Sequence, residues 1–523
     1  MVCVSRSQPS SLVLISVNST SFAEIASMNK QALTSACFIS LLGAVMIGSA
    51  LAQPAPVKNP YLANSGWPIF HQGAYAQASG DFEAPRPNSQ LSVQFQENAS
   101  GGTSPWTVLA EPYSDGSQAV IGSTRQGLVK RLVKGESFEQ VSFLPLPRQR
   151  SDFDWNVLVL ATGEIVSTSR RDNTFYFVDD TSSDCPSCEL EVKRTIVVPK
   201  EIGQITIQFA LSYDGYLIVL LEDSRLAAVS LKTGEVEAIH DLAVSDDAVS
   251  FHNAFPIDET GRLYISSQEV MTAVDWTGDS FQPAWRAAYD FRGPGCQPLR
   301  RRGERRRGRT RLREAIRVAR GLRCTGSGTT PSLIGNPNSG VVVTVDGHAP
   351  RNRLVAFWRG NIPPDWEGLP NEEPRVAAIM PLPYSTPEGA GFTAENSPAV
   401  LGNSVFVAQW AGLAPSCDPV SGVQRVDWDL GDRKFDLVWA NEAVHFNGIP
   451  TVSARTKLVY GSGRVGCAYH YRGLDIETGE ILLDHRLGED ARYLDQGNQH
   501  TIAADGSIVF SSRHGIVRIK QAP

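Results

Sequence analysis

The chain has 523 residues, with 48 Lys and Arg against 55 Asp and Glu, giving a formal net charge of −7. That balance offers no general attraction to a phosphate backbone, so nucleic acid is not expected as a partner. Length alone would allow two or three domains, a prior that internal repeats override, because arrays of supersecondary units outgrow the usual domain.

Residues 1–27 carry no targeting pattern and read as a non-translated or dispensable leader. Residues 28–52, MNKQALTSACFISLLGAVMIGSALA, place a Met and a Lys before an apolar run from Ala36 to Ile47, and end in Ala50-Leu51-Ala52. This is the pattern of a secretory signal peptide, with cleavage before Gln53 and a periplasmic or secreted product. The run is too short for a mature membrane span, and no later segment is long and apolar enough to be one. Residues 53–89 read as an N-terminal strap across one face. His71, in WPIFHQGAYAQAS, is assigned there to structural packing. QLSVQFQEN from Gln90 is a strand-like run without a sequence neighbour to pair with.

From Pro105 onward one phrase returns: a polar start, then short apolar runs separated by turns. PWTVLAEPYSDGSQAVIGS, WNVLVLATGEIVSTS, FALSYDGYLIVLLEDSRLAAVSLKTGEVEAI and AFPIDETGRLYISSQEVMTAVDWTGDSFQPAW are the first four copies. TTPSLIGNPNSGVVVTVDG, SPAVLGNSVFVAQW, IPTVSARTKLVYGSG and TIAADGSIVFSSRHGIVRIK are the next four. Their first strands begin near residues 105, 155, 208, 253, 329, 396, 448 and 500, mostly about 50 residues apart. Short Val-, Ile-, Leu- and Tyr-rich runs punctuated by Asp-Gly, Thr-Gly-Glu and Gly-Asn turns signal hairpin-joined strands. Four-stranded repeats of this length predict an all-β, eight-bladed propeller, a single domain over 90–523. The last copy supplies three strands, so the run from Gln90 is expected to complete its blade and leave no open sheet edge.

Cys3 and Cys37 precede Gln53, which leaves Cys185, Cys188, Cys296, Cys324, Cys417 and Cys467. That number in an exported chain suits disulfides. DCPSCE lacks a second CxxC and a following His, and reads as a small loop disulfide rather than a metal or redox motif. Cys417 and Cys467, in neighbouring repeats, make the best long-range pair.

Twelve of the 24 residues from Arg300 to Arg323 are arginine. Three readings stand for this insertion, residues 297–324. A compensated pair of frameshifts would produce it, since GC-rich DNA read out of frame is dense in arginine codons; Cys324 and Cys296 would then be unreliable. A disordered or partly helical insertion, with Leu312, Ile316 and Ala319 on one face, is the second. A functional basic loop is the third.

The turn phrases AVSLKTGEVEAI, TAVDWTGDSFQPAW, QRVDWDLGDRKFDLVW and RGLDIETGEILL are similar to the Ala-x-Asp-x-x-Thr-Gly-x-x-x-Trp phrase of pyrroloquinoline-quinone (PQQ)-type propellers. Over residues 90–520 the chain resembles the quinoprotein-like eight-bladed superfamily, as a secreted bacterial member of unclear activity. For the dehydrogenases of that group the resemblance implies a quinone held with calcium against a disulfide of adjacent cysteines. No two cysteines are adjacent here, so PQQ is not expected.

In a propeller the first strand of each blade lines the axis, and the loops leading into it form a funnel. At those positions stand Asp154-Trp155-Asn156, His252-Asn253, Ser327 with Thr329 and Thr330, Glu395-Asn396, His445 with Asn447, and Asn498 with His500. Three imidazoles, His252, His445 and His500, are the candidate ligands for a divalent transition metal such as Zn, Cu or Fe. With Glu395 they are also the candidate catalytic residues. Their register differs by a position or more, and one position reverses a strand side chain, so bonding to neighbouring loops is the alternative. Trp67, Trp155, Trp358, Trp366 and Trp410 are candidates either for the funnel or for packing between blades. The function expected is that of an exported enzyme acting on a small organic molecule in the funnel, an oxidoreductase of quinoprotein-like type or a metal-assisted hydrolase or lyase. The alternative is a non-catalytic secreted scaffold that holds a protein or glycan partner.

Overall fold

The turns set the blades. In the first and last repeats the same Ser/Ala-Asp-Gly-Ser phrase reverses the chain, and the Asp side chain accepts the backbone N–H of the Ser two residues on. The distance is 2.8 Å from Asp115 to Ser117 and 3.0 Å from Asp505 to Ser507. Gly116 and Gly506 follow each Asp at φ 79°, a conformation that costs glycine nothing. The computed structural model describes residues 55–98, 106–147, 156–242, 253–267, 270–289, 327–347, 351–385, 394–412, 416–419, 422–495 and 497–523. The arginine-rich insertion, the signal sequence, Cys296 and Cys324 lie outside them.

The described strands form eight sheets. Blade 1 comprises Thr107–Leu109, Gln118–Thr124, Gly127–Lys134 and Ser137–Pro145, each antiparallel to the next. Blades 2 and 3 begin at Val157–Val159 and Ile205–Leu211. Blade 4 has three strands, from Arg262–Ser266 outward, with a single bridge between Ile257 and Leu263 at the innermost position. Blades 5, 6 and 7 begin at Ser332–Ile334, Ala399–Leu401 and Thr451–Ser453. Blade 8 takes three strands from His500–Ile502 to Gly515–Gln521, and its outer strand is Leu91–Glu97, paired from Leu91 with Gln521 to Glu97 with Gly515. The expected closure is present.

Aromatic contacts pack neighbouring blades together: Phe175 lies 5.6 Å from Phe209 between blades 2 and 3, and Trp358 lies 5.7 Å from Trp428 between blades 5 and 6. The closing strand is tied to blade 1 as well as blade 8. Buried Arg131 donates to Gln96 Oε1 at 3.0 Å and to Asn98 Oδ1 at 2.7 Å.

Residues 67–78 run around the axis and satisfy groups that the innermost strands would otherwise leave bare. The carbonyls of Trp67 and Pro68 accept the N–H of Leu109 in blade 1 and Val159 in blade 2. Those of Ala74 and Tyr75 accept from Ile257 and Leu333, and those of Gln77 and Ala78 from Val400 and Val452. This segment therefore bonds to blades 1, 2, 4, 5, 6 and 7 in turn. Among the described residues no helix is long and apolar enough to cross a membrane.

Candidate active site on the propeller axis

Residues that lead into the innermost strands converge on a cavity of about 360 Å³, with the strap residues Phe70 and His71 in its lining. Blades 1, 3, 4, 5, 6, 7 and 8 each contribute, which places it on the axis. Three rings, Phe70, Trp106 and Trp410, form its apolar part. Gln208, Asn253, Thr330, Glu395, Ser397 and Asn498 form its polar part. The volume suits a small organic molecule.

His71 has the left-handed φ of 62°, unusual for a residue with a side chain. The geometry is held from both sides. Its N–H donates to the side-chain oxygen of Gln499, whose own amide donates to Thr107 O at 3.0 Å, and its carbonyl accepts from Ala78 N at 3.1 Å. The ring is buried, and neither nitrogen has a hydrogen-bond partner among the described residues. Burial pushes its pKa down to about 3, so the imidazole is neutral at physiological pH.

Glu395 precedes the innermost strand of blade 6. Its carboxyl is wetted by the cavity, and the residue counts as exposed by surface contact, yet protein surrounds it on nearly every side. The surroundings govern its proton affinity, because cavity water is not bulk water. Burial pushes its pKa up to about 7. The carboxyl lies over Gly328, where a Cβ would come within 2.7 Å of it. Asn253 spends its amide N–H groups on Ser327 O and Thr329 O, both at 3.1 Å, which leaves its carbonyl end. Gln208 Oε1 and the Trp410 indole N–H are buried without partners among the described residues.

His252 lies outside the described residues. His445 sits in the wall of blade 7 and lines a separate crevice with Asn447, Arg464 and Asp495. Its Nδ1 accepts from Arg464 N at 2.9 Å, while Nε2 has no partner among the described residues. Burial pushes its pKa down to about 4; Asn447 lies close enough to oppose that shift, short of a well-formed hydrogen bond. His500 is held between Asp495, 2.8 Å from Nε2, and Tyr471, 3.1 Å from Nδ1, all three buried. Asp495 thus joins His445 and His500 in one region, apart from Glu395. Among the described residues no three His, Cys, Asp or Glu side chains are grouped to hold a metal.

Of the candidate tryptophans, Trp410 lines the cavity, Trp67 and Trp358 are buried between blades, and Trp366 packs 5.7 Å from Trp358. Trp155 is outside the described residues. Sequence reasoning did not select Trp106 or Gln208. Trp106 precedes the innermost strand of blade 1, as the selected residues do, so the same rule could have found it, whereas Gln208 lies within the innermost strand of blade 3. His71 falls in the segment read as a strap, and its contact with the cavity has no local signal. Disulfides join Cys185 to Cys188 and Cys417 to Cys467. Both pairs match expectation and fit an oxidising compartment. Neither lines the cavity, and among the described residues its walls hold no disulfide platform of the kind the quinone-dependent class would supply.

The fold is an eight-bladed β-propeller. The chain is 26% identical over 494 residues to an uncharacterized protein of Archaeoglobus fulgidus, covering 89% of each. Among solved structures it is similar to a quinohemoprotein alcohol dehydrogenase from Pseudomonas putida HK5, with a TM-score of 0.54 and 11% identity over 88% of this chain and 80% of that one. BamB from Moraxella catarrhalis gives a TM-score of 0.47 and 12% identity over 83% of this chain and 99% of that one. No protein-family model matches. At these identities the structural likeness is one of fold.

Proposed function

We propose that the protein is an exported enzyme that carries out acid–base chemistry on a small organic molecule in the axial cavity. The observation that carries this reading is the presence in one cavity of a carboxyl group with a pKa near 7, Glu395, and a neutral imidazole, His71, whose nitrogens have no hydrogen-bond partner among the described residues. A general acid–base group works best when its pKa lies near the working pH. Glu395 exchanges the proton, and His71 offers one N–H and one lone pair to orient the substrate. Of the sequence candidates His252, Glu395, His445 and His500, Glu395 is the one that lines the cavity among the described residues. His252 keeps its place through its position beside Asn253. A metal-assisted hydrolysis or lyase reaction would need it as a ligand, since His445 and His500 lie in the blade wall and do not line the cavity.

The test is a substrate screen by turnover and thermal shift on the full chain, with Glu395→Gln and Gly328→Ala alongside. The first removes the ionisable carboxyl. The second displaces it while leaving the fold intact, because the group it meets is the free end of a flexible side chain. Both variants should fold as wild type and lose turnover. If no small molecule is turned over or stabilises the chain, and both variants behave as wild type, the non-catalytic scaffold reading takes its place.

A further inference from the structure

We propose that the ligand of the axial cavity is a protonated amine, an organic ammonium ion whose body stacks on aromatic rings and carries one hydrogen-bond acceptor. The inference rests on the reading of this cavity as a small-molecule site and adds the chemical class. It follows from the polarity of the groups turned toward the ligand. The described lining contains no Lys or Arg, and its titratable groups are His71 and Glu395. Among the described residues an anionic substrate would meet a carboxyl group and no cation, whereas a cation would meet a partner of opposite charge.

The polar groups are mainly acceptors. Asn253 has turned its N–H groups into the wall, toward Ser327 O and Thr329 O, and presents its carbonyl end. Gln208 Oε1 is buried and lacks a partner among the described residues. His71 is buried with neither nitrogen paired among the described residues, and its neutral ring keeps one lone pair. A buried acceptor without a donor is destabilising, and a ligand rich in N–H groups removes that cost. Ammonium donates up to three N–H bonds and accepts none.

The rings complete the match. Phe70 and Trp106 stand 4.9 Å apart by ring centroids, and Trp410 faces the same cavity. Aromatic faces attract organic cations, most strongly where water is excluded. Trp410 also brings an indole N–H without a partner among the described residues, which calls for an acceptor on the body of the ligand. A neutral polyol would also stack on rings and donate hydrogen bonds to the carboxylate, but it lacks the charge–charge attraction that a cation adds.

The experiment is calorimetric titration of the full chain at pH 8 with 2-phenylethylammonium, its neutral isostere 2-phenylethanol, and glucose. The ammonium should bind at least about tenfold more tightly than the alcohol. That preference should vanish in Glu395→Gln, and affinity for the ammonium should fall in Trp410→Ala. Equal or tighter binding of the alcohol or of glucose would overturn the ammonium class while leaving the small-molecule site standing. Failure of all three probes also overturns it. If Glu395→Gln in addition leaves the pH profile of stability unchanged, the reading of the cavity itself falls.

Discussion

Arg359 Nη2 lies 2.8 Å from Asp258 Oδ2, and neither side chain is exposed. The pair joins blade 5 to blade 4. Tyr264 Oη donates to the same carboxylate oxygen at 2.9 Å, Arg359 Nη1 donates to Gly335 O at 2.6 Å, and the guanidinium lies 4.8 Å from the ring of Tyr75 in the strap. Removing one partner strands the other as an uncompensated charge. Asp258→Ala should therefore cost about 3–5 kcal/mol in denaturant unfolding. Adding Arg359→Met should recover part of that loss, so the double variant costs less than the sum of the single ones.

Glu395 gives stability a slope with pH. Burial holds its pKa at about 7 in the folded chain against an ordinary 4.5. Below pH 4.5 both states carry the proton and the group contributes nothing. As pH rises from 4.5 to 7 the unfolded chain releases a proton that the folded chain keeps, so stability declines, and above 7 the loss is constant. Glu395→Gln should therefore melt at a higher temperature than wild type at pH 8 and at nearly the same temperature at pH 4. A thermal-melt series over this range checks it.

His71 acts at the other end of the scale. Its folded pKa of about 3 lies below the ordinary 6.5. Above pH 6.5 both states are neutral. As pH falls from 6.5 to 3 the unfolded chain takes up a proton that the folded chain refuses, a loss that grows to on the order of 4 kcal/mol at pH 3. His71→Asn keeps a residue that tolerates positive φ and should flatten this acid slope. The same variant should lower turnover at pH 7. His445 continues to contribute in the same direction down to about pH 4.

The Cys417–Cys467 bond closes a loop with a sequence separation of 50 between blades 6 and 7. Replacing both by Ser should lower the unfolding free energy by about 4 kcal/mol, by the loop-entropy relation. Unfolding with and without reductant measures it.

The blades, the closing strand and both disulfides were legible because each rests on local chemistry: Asp-Gly turns, alternating strands, and cysteines in repeats known to be neighbours. Glu395 was legible for the same reason, as a polar residue leading into an innermost strand. His445 and His500 obeyed that rule too, yet they lie within the wall, because their side chains found partners in Arg464 N, Asp495 and Tyr471. Sequence position brings a residue to the axis, while hydrogen bonding decides which way it turns. His71 was read as a packing residue of the strap, and its buried ring fits that, but nothing local showed that it would line the cavity. Its place beside the cavity depends on Gln499, which is 428 residues away.

The pairing of Leu91–Glu97 with Gly515–Gln521 also has a consequence in time. Gln94 receives a hydrogen bond from Arg518 across a separation of 424 residues, so at a synthesis rate of ~5–20 residues per second it waits roughly 20–80 s for its partner. Through that interval the strand Leu91–Glu97 is a bare edge, and blade 8 does not exist. A nascent chain released early would keep its first blades and its unpaired strand together, a combination that invites pairing with another chain. The clasp that finishes the ring thus also removes an edge that would otherwise recruit strangers.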